Sequence, residues 1–142
     1  MENKDKYQVY KGGDSIDNFN FYRVPKKLFD MEYISLPVEA KLLYAIMLDR
    51  TSLSIKNQWL DEHDQVYIYF TIEDVCRYIR VSKTTAIRLM ELLNDTKGYG
   101  LIHREHQGLG KPDKIYVKNI MNRDCEVYCY DHVDNFVEYM RE

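Results

Sequence analysis

Basic side chains are concentrated in one stretch of the chain, from Arg77 to Lys118. This stretch has nine basic and four acidic residues, a formal charge of +5, whereas the whole chain carries -3. A basic face on an otherwise acidic chain is typical of a surface that binds an anion such as a nucleic-acid backbone. Charge alone does not distinguish an anion-binding surface from a basic surface that contacts only solvent.

Two groups of polar residues within this stretch have the side-chain types that contact DNA. The first is at the start of a predicted helix, and the second surrounds a glycine-rich loop. The helix group is Lys83, Thr84, Thr85 and Arg88, and the loop group is Arg104, Lys111 and Lys114. Arginine and lysine bind phosphates and guanine edges, and hydroxyls bind either, so we predict that these seven residues contact duplex DNA. Thr85 has a second interpretation, as support for the helix start.

Two predicted helices with a short turn between them position the first group. Thr71 has the features of a helix N-cap, with acidic residues in the following turn, and it begins a short helix that ends near Arg80. Ser82 then caps a longer helix that runs from Lys83 to about Asp95. An apolar stripe at helical spacing turns one face of this helix to the core and leaves its polar N-terminal residues outside.

Two predicted strands position the second group. Residues 101–107 and 114–118 have strand character, and a polar loop, Gly108–Asp113, connects them. The order helix, turn, helix and hairpin predicts a winged helix-turn-helix between Thr71 and Asn119. Its second helix would enter the major groove, and its loop would contact phosphate or an adjacent minor groove.

Further elements are predicted upstream. Residues Asn18–Val24 alternate as in a strand, and Pro25 ends the pattern. The wide apolar stripe of Pro37–Thr51 predicts a core helix, and Gln65–Phe70 alternates as in a half-buried strand. The fold expected is therefore α+β, a winged helix-turn-helix with an extra N-terminal strand and a C-terminal tail.

This fold divides the chain into three parts. Residues 1–17 are predicted to be a flexible arm, 18–119 the winged-helix domain, and 120–142 an acidic tail with a helix at 131–140. The polar N-terminus does not have the apolar region of a secretory signal, and no apolar run is long enough to span a membrane. We therefore expect a cytoplasmic protein without a membrane partner.

Catalytic and metal chemistry have little support. Asp61, Glu62 and Asp64 flank His63 in a turn-like segment, where solvation is the ordinary role of such residues. A second cluster, Cys125, Cys129 and His132, has neither a fourth ligand nor the usual zinc spacing. The glycine-rich loop is not followed by the Lys-Ser/Thr of a phosphate-binding loop. We expect no enzymatic activity, no metal and no cofactor.

Six sequence blocks together resemble the N-terminal domain of the RepA_N plasmid replication initiators. The blocks are Phe21–Phe29 (FYRVPKKLF), Ala40–Tyr44 (AKLLY), Asp49–Ser54 (DRTSLS), Asn57–Glu62 (NQWLDE), Val66–Thr71 (VYIYFT) and Gly108–Val117 (GLGKPDKIYV). The resemblance implies a winged helix that binds repeated sequences at a replication origin of a plasmid or mobile element. It also implies a homodimer and a separate C-terminal domain that recruits host replication proteins.

The sequence ends at Glu142, before such a second domain. The chain is expected to be either the first domain alone or a short relative with a different task. For the dimer surface we consider Asn18–Val24 and the helix Pro37–Thr51, because their apolar content exceeds what a small domain covers by itself. A winged-helix transcriptional regulator and a protein-docking module are the alternative functions. The DNA sequence bound is not determined by these patterns.

Overall fold

The computed structural model of the protein describes residues 6–16 and 20–121. Two 3₁₀ turns, Lys26–Phe29 and Met31–Tyr33, precede three helices, α1 (Val38–Lys56), α2 (Ile72–Ile79) and α3 (Lys83–Leu93). The strands are β1 (Ile68–Tyr69), β2 (Ile102–Glu105) and β3 (Lys114–Val117). The helices pack on one another and on a small sheet, which makes the fold the α+β winged helix-turn-helix predicted from the sequence.

The sheet is antiparallel, with β3 in the centre between β1 and β2. Ile68 of β1 lies opposite Ile115 of β3, which lies opposite Arg104 of β2. Because successive residues of a strand face opposite sides, Ile68 and Ile115 are fully buried, and Tyr69 beside them is only half-buried. The strand predicted for residues 65–70 is confirmed, although only Ile68 and Tyr69 of this segment pair with β3.

The core lies between the inner face of this sheet and the three helices. Helix α1 supplies Leu43, Tyr44 and Met47, and α3 supplies Leu89 and Met90, none of them more than 1% exposed. The Tyr44 hydroxyl donates a short hydrogen bond to the Lys118 carbonyl oxygen, which ties α1 to the chain just after β3. Burial raises the pKa of this phenol to about 12.

The predicted core helix is confirmed and is longer than its pattern. Helix α1 begins after Pro37, whose φ of -60° suits a helix start, and it continues to Lys56 rather than ending at Thr51. The last turn includes Ser54, which is buried, although exposed Leu53 and Ile55 flank it. This buried polar residue breaks the apolar periodicity, so the pattern underestimates the length of the helix.

The predicted N-terminal strand is wrong for the part of Asn18–Val24 that the structure describes. Among the described residues, 20–24 are irregular and pair with none of β1, β2 and β3, which form the three-stranded sheet. Phe21 and Tyr22 are each about half exposed at 52%, so the alternation did not reflect one buried face. A 3₁₀ turn, Lys26–Phe29, follows Pro25. The predicted tail helix at 131–140 and the Cys125, Cys129 and His132 cluster lie outside the described residues.

Candidate nucleic-acid interface

Helix α2 starts with a reciprocal cap. The Thr71 hydroxyl accepts a hydrogen bond from the Asp74 N–H at 3.1 Å, and the Asp74 carboxylate accepts one from the Thr71 N–H at 3.0 Å. Such a capping box satisfies two backbone donors that a helix start leaves open. The helix ends at Arg80, which is in the left-handed conformation with φ 63° and ψ 48°. This residue turns the chain sharply toward α3.

Helix α3 starts on Ser82, as predicted. The Ser82 hydroxyl accepts from the Thr85 N–H at 3.2 Å and donates to the Thr85 hydroxyl at 3.1 Å. The Thr85 side chain is thus engaged in the cap, which matches its second interpretation. Lys83 and Thr84, which precede it, are exposed.

The outward face of α3 has the polar composition that the sequence predicted. Thr84 and Arg88 are exposed, Ile87 is 39% exposed, and the opposite face is buried through Ala86, Leu89, Met90 and Leu93. Within the described residues, Lys83 and Arg88 form no ion pair. Their charges are therefore available to a ligand, and the half-exposed Ile87 between them suits contact with a thymine methyl.

The hairpin of β2 and β3, which we call the wing (Ile102–Val117), places its three predicted contact residues differently. Arg104 is mostly buried, and its guanidinium donates to the Asp113 carboxylate at 3.0 Å. The ammonium of Lys114 lies over the Tyr67 ring, 4.6 Å from the ring centroid. Lys111 is exposed at the loop and has no ion-pair partner among the described residues. Of the three, only Lys111 has a fully available charge.

A second ion pair lies where the wing joins the end of α3. The Asp95 carboxylate is 3.1 Å from the Lys118 ammonium and 2.9 Å from Nδ1 of His103. Burial raises the pKa of Asp95, but the hydrogen bonds from Lys118 and His103 outweigh burial and leave it below its ordinary value. Lys118 is thus neutralised within the fold and adds little to an anion-binding face.

The acidic turn at 61–64 has a structural role. The Asp61 carboxylate accepts hydrogen bonds from the backbone N–H groups of His63 and Gln65, at 2.9 and 2.8 Å, and from the Tyr116 hydroxyl at 3.0 Å. Across residues 6–16 and 20–121, no group of His, Cys, Asp and Glu side chains is arranged to hold a metal ion. In the same residues, no helix is long and apolar enough to cross a membrane.

Two exposed residues near the predicted contact residues were not predicted from the sequence to contact DNA. Arg80 is an exposed cation in the turn that leads into α3, and Leu109 is a fully exposed apolar side chain in the wing loop. The sequence contains a feature that could have indicated each of them. A non-glycine residue stands at the helix C-terminus where glycine is common, and a leucine interrupts an otherwise polar loop.

The fold and the exposed basic face of α3 define a winged-helix domain of the DNA-binding class. The RepA_N family, described as the replication initiator protein A (RepA) N-terminus, matches residues 20–130, and the chain belongs to this family. A 41 kDa protein of Lactobacillus helveticus is 33% identical over 104 residues, and the match covers 68% of this chain and 29% of that protein. The chain therefore spans less than a third of this relative.

Solved structures agree with this assignment. A structure titled "N-Terminal domain of DNA binding protein" is 27% identical with a TM-score of 0.66, and the match covers 92% of this chain and 97% of that one. A second, "Structure of Rep-DNA complex", is 29% identical with a TM-score of 0.65 over 82% and 88% of the two chains. A third, "Structure of MDR initiator", is 25% identical with a TM-score of 0.62 over 81% and 89%.

Proposed function

We propose that this domain binds duplex DNA at repeated sequences of a plasmid or mobile-element replication origin, as the N-terminal domain of an initiator. The observation that carries the proposal is the outward face of α3 in a chain of the RepA_N family, where Lys83 and Arg88 are exposed and form no ion pair with any described residue. The likeness to a structure titled "Structure of Rep-DNA complex" supports DNA as the ligand. In this arrangement α3 reads the major groove, and Lys111 of the wing contacts backbone.

Binding of variants to a repeat taken from the DNA around the gene tests this arrangement. We expect Arg88→Ala to weaken binding to the cognate repeat by about 1 to 3 kcal/mol and to relax its specificity, because a bidentate base contact is lost. We expect Lys111→Ala to weaken cognate and unrelated duplexes about equally, since a phosphate contact carries no sequence information.

Lys26→Ala is the matched control, because Lys26 is exposed but lies in the first 3₁₀ turn, outside the basic stretch. This variant should bind like the parent. If Arg88→Ala and Lys111→Ala also bind like the parent, the assignment of α3 and the wing to the DNA is wrong.

A homodimer is the second part of the proposal, and exposed apolar side chains support it. Most of Pro37–Thr51 is buried within one copy, so α1 contributes mainly Val38 and Leu42, which are 57% and 45% exposed. Phe29 and Met31 of the neighbouring 3₁₀ turns and Ile34, which follows them, are exposed at 57%, 68% and 69%. Burial of such groups against a second copy would stabilise a dimer.

Sedimentation equilibrium tests the dimer. The parent should dimerise at micromolar concentration, and Leu42→Lys should shift the equilibrium to monomer while the helical circular dichroism stays unchanged. A parent that remains monomeric at high micromolar concentration contradicts this part of the proposal and leaves DNA binding unaffected.

The remaining parts of the proposal are a cytoplasmic location, recruitment of host replication proteins through a further domain of a longer initiator, and the absence of enzymatic activity. The family supports the second of these parts, because its matched region is described as the N-terminus of an initiator. A nuclease assay with magnesium tests the last part, and cleavage of duplex DNA would contradict it. A transcriptional regulator is distinguished by a footprint at a promoter instead of an origin.

A further inference from the structure

The tip of the wing presents a leucine that touches nothing. Leu109 is 104% exposed, more than any other large hydrophobic residue among those described. It stands between Gly108 and Gly110, whose φ angles of 114° and 77° lie in the region that favours glycine. No atom lies within 4 Å of the position where either glycine would carry a Cβ. The space around both glycines is therefore open, and the apolar side chain between them points into solvent.

Hydrogen bonds and an ion pair connect the two sides of the wing below this tip. Asp113 is held by the Arg104 guanidinium at 3.0 Å and by Nδ1 of His106 at 2.8 Å. The Gln107 side chain donates to the Pro112 carbonyl oxygen at 2.7 Å, which closes the two sides of the loop just beneath the tip. Leu109 is thus extended from a cross-linked base, and the Lys111 N–H, which donates to the Gly108 carbonyl oxygen at 3.3 Å, closes the turn around it.

The surroundings of Leu109 favour nucleic acid over a protein pocket. Lys111 follows two residues later, is exposed and has no ion-pair partner among the described residues. The tip therefore presents an apolar side chain next to a free positive charge. A protein pocket for leucine needs no cation beside it, whereas a minor groove is lined by phosphates. The B-DNA minor groove is about 6 Å wide, which a tip flanked by two glycines can enter.

We propose that Leu109 acts as a wedge, entering the minor groove beside the site read by α3 and separating two stacked base pairs. Proteins that bind the minor groove use apolar side chains in this way and bend the duplex away from the wedge. Pyrimidine–purine steps such as TA unstack most easily, so the wedge is expected at such a step. The inference rests on the proposed binding of duplex DNA and adds local distortion of the DNA to it.

A cognate duplex that carries 2-aminopurine at successive steps and a fluorophore pair at its ends tests the wedge. With saturating parent protein, we expect fluorescence to rise severalfold at one step and the ends to move closer together. Leu109→Ala should still bind, with affinity reduced by less than about tenfold, because the lost contact and the avoided unstacking partly offset each other. It should lose both the fluorescence rise and the bend.

Two further variants separate the wedge from simpler explanations. Leu109→Met retains an apolar side chain of similar length and should restore the fluorescence rise. Lys111→Ala should weaken binding but, at saturation, keep the rise and the bend. Both Leu109 variants should unfold at the parent's temperature, because the Leu109 side chain is fully exposed.

The outcomes distinguish this inference from the function on which it rests. A saturated Leu109→Ala complex that fluoresces and bends like the parent overturns the wedge and leaves DNA binding intact. Binding by the parent without any fluorescence rise overturns it as well. If the parent does not bind duplex DNA, the proposed function and the wedge both fail.

Discussion

At the residue scale, the contact residues predicted from the sequence divide into two kinds. Lys83, Thr84 and Arg88 lie on the exposed face of α3, where a ligand can reach them. Thr85 and Arg104 are engaged within the fold, one in the Ser82 cap and one with Asp113. Sequence patterns show which residues lie on the exposed face of a helix, because helical periodicity determines that face. They do not give the internal partner of a basic residue, because that partner, here Asp113, comes from the other side of the wing loop.

Arg80 leads to a prediction in which stability and binding change in opposite directions. A non-glycine residue in the left-handed conformation costs about 1 to 2 kcal/mol, so Arg80→Gly should raise the free energy of unfolding by about 1 kcal/mol. If the exposed guanidinium contacts a phosphate, the same variant should bind DNA more weakly. Urea denaturation and a binding titration measure the two effects.

Arg80→Lys is the control for charge, since it keeps both the cation and the backbone strain. It should match the parent in stability and stay close to it in affinity. If Arg80→Gly is no more stable than the parent, the strain at this turn is offset by contacts of the arginine side chain.

Asp61 leads to a prediction about acid stability. The Gln65 N–H holds the pKa of this carboxyl below its ordinary value of 3.8; burial opposes the shift, and the His63 N–H and Tyr116 hydroxyl reinforce it. Because the folded pKa is lowered, the stabilisation is present above pH 3.8 and is lost as the pH falls through the folded value. Asp61→Asn should therefore show a smaller loss of stability between pH 5 and pH 2, measured by denaturant unfolding at each pH. An unchanged slope would contradict the role of Asp61.

At the element scale, helices whose ends carry caps were predicted closely. Thr71 and Ser82 begin α2 and α3 as expected, because capping depends on residues three positions apart in the sequence. The strand at Asn18–Val24 was wrong because a strand needs a partner, and partners are set by the whole sheet. The length of α1 was underestimated because its last turn contacts the core through Ser54 instead of an apolar residue.

The link between α3 and β2 depends on Gly98. A Cβ at this position would lie 2.1 Å from the Leu92 carbonyl oxygen and 2.4 Å from that of Glu91, both of them backbone atoms. We therefore expect Gly98→Ala to lower the free energy of unfolding by about 2 kcal/mol or more, because the chain must move away from α3. Urea denaturation checks this value.

Gly12→Ala is the matched control, since nothing lies within 4 Å of a Cβ at Gly12. This variant should be as stable as the parent. Equal stability of Gly98→Ala and Gly12→Ala would show that the connection to the wing moves freely, and the wing would not be held against α3 as described.

At the scale of the whole molecule, function depends on how charge is distributed. The chain is acidic overall, at -3, yet the stretch from Arg77 to Lys118 carries +5. The structure separates the basic residues of that stretch into two groups. In the first group, Arg77, Arg104 and Lys118 pair with carboxylates. Arg80, Lys83, Arg88, Lys97 and Lys111 remain exposed and form no ion pair among the described residues. Composition predicted a basic surface, whereas only the fold shows which cations are free.

The salt dependence of binding to a duplex that carries the origin repeat tests the central claim most directly. With about five phosphates neutralised, the logarithm of the binding constant should fall against the logarithm of salt concentration with a slope of roughly -4.5. A scrambled duplex should bind more weakly at every salt concentration. A flat slope, or equal affinity for the two duplexes, would contradict the account of a domain that recognises origin DNA through α3 and the wing.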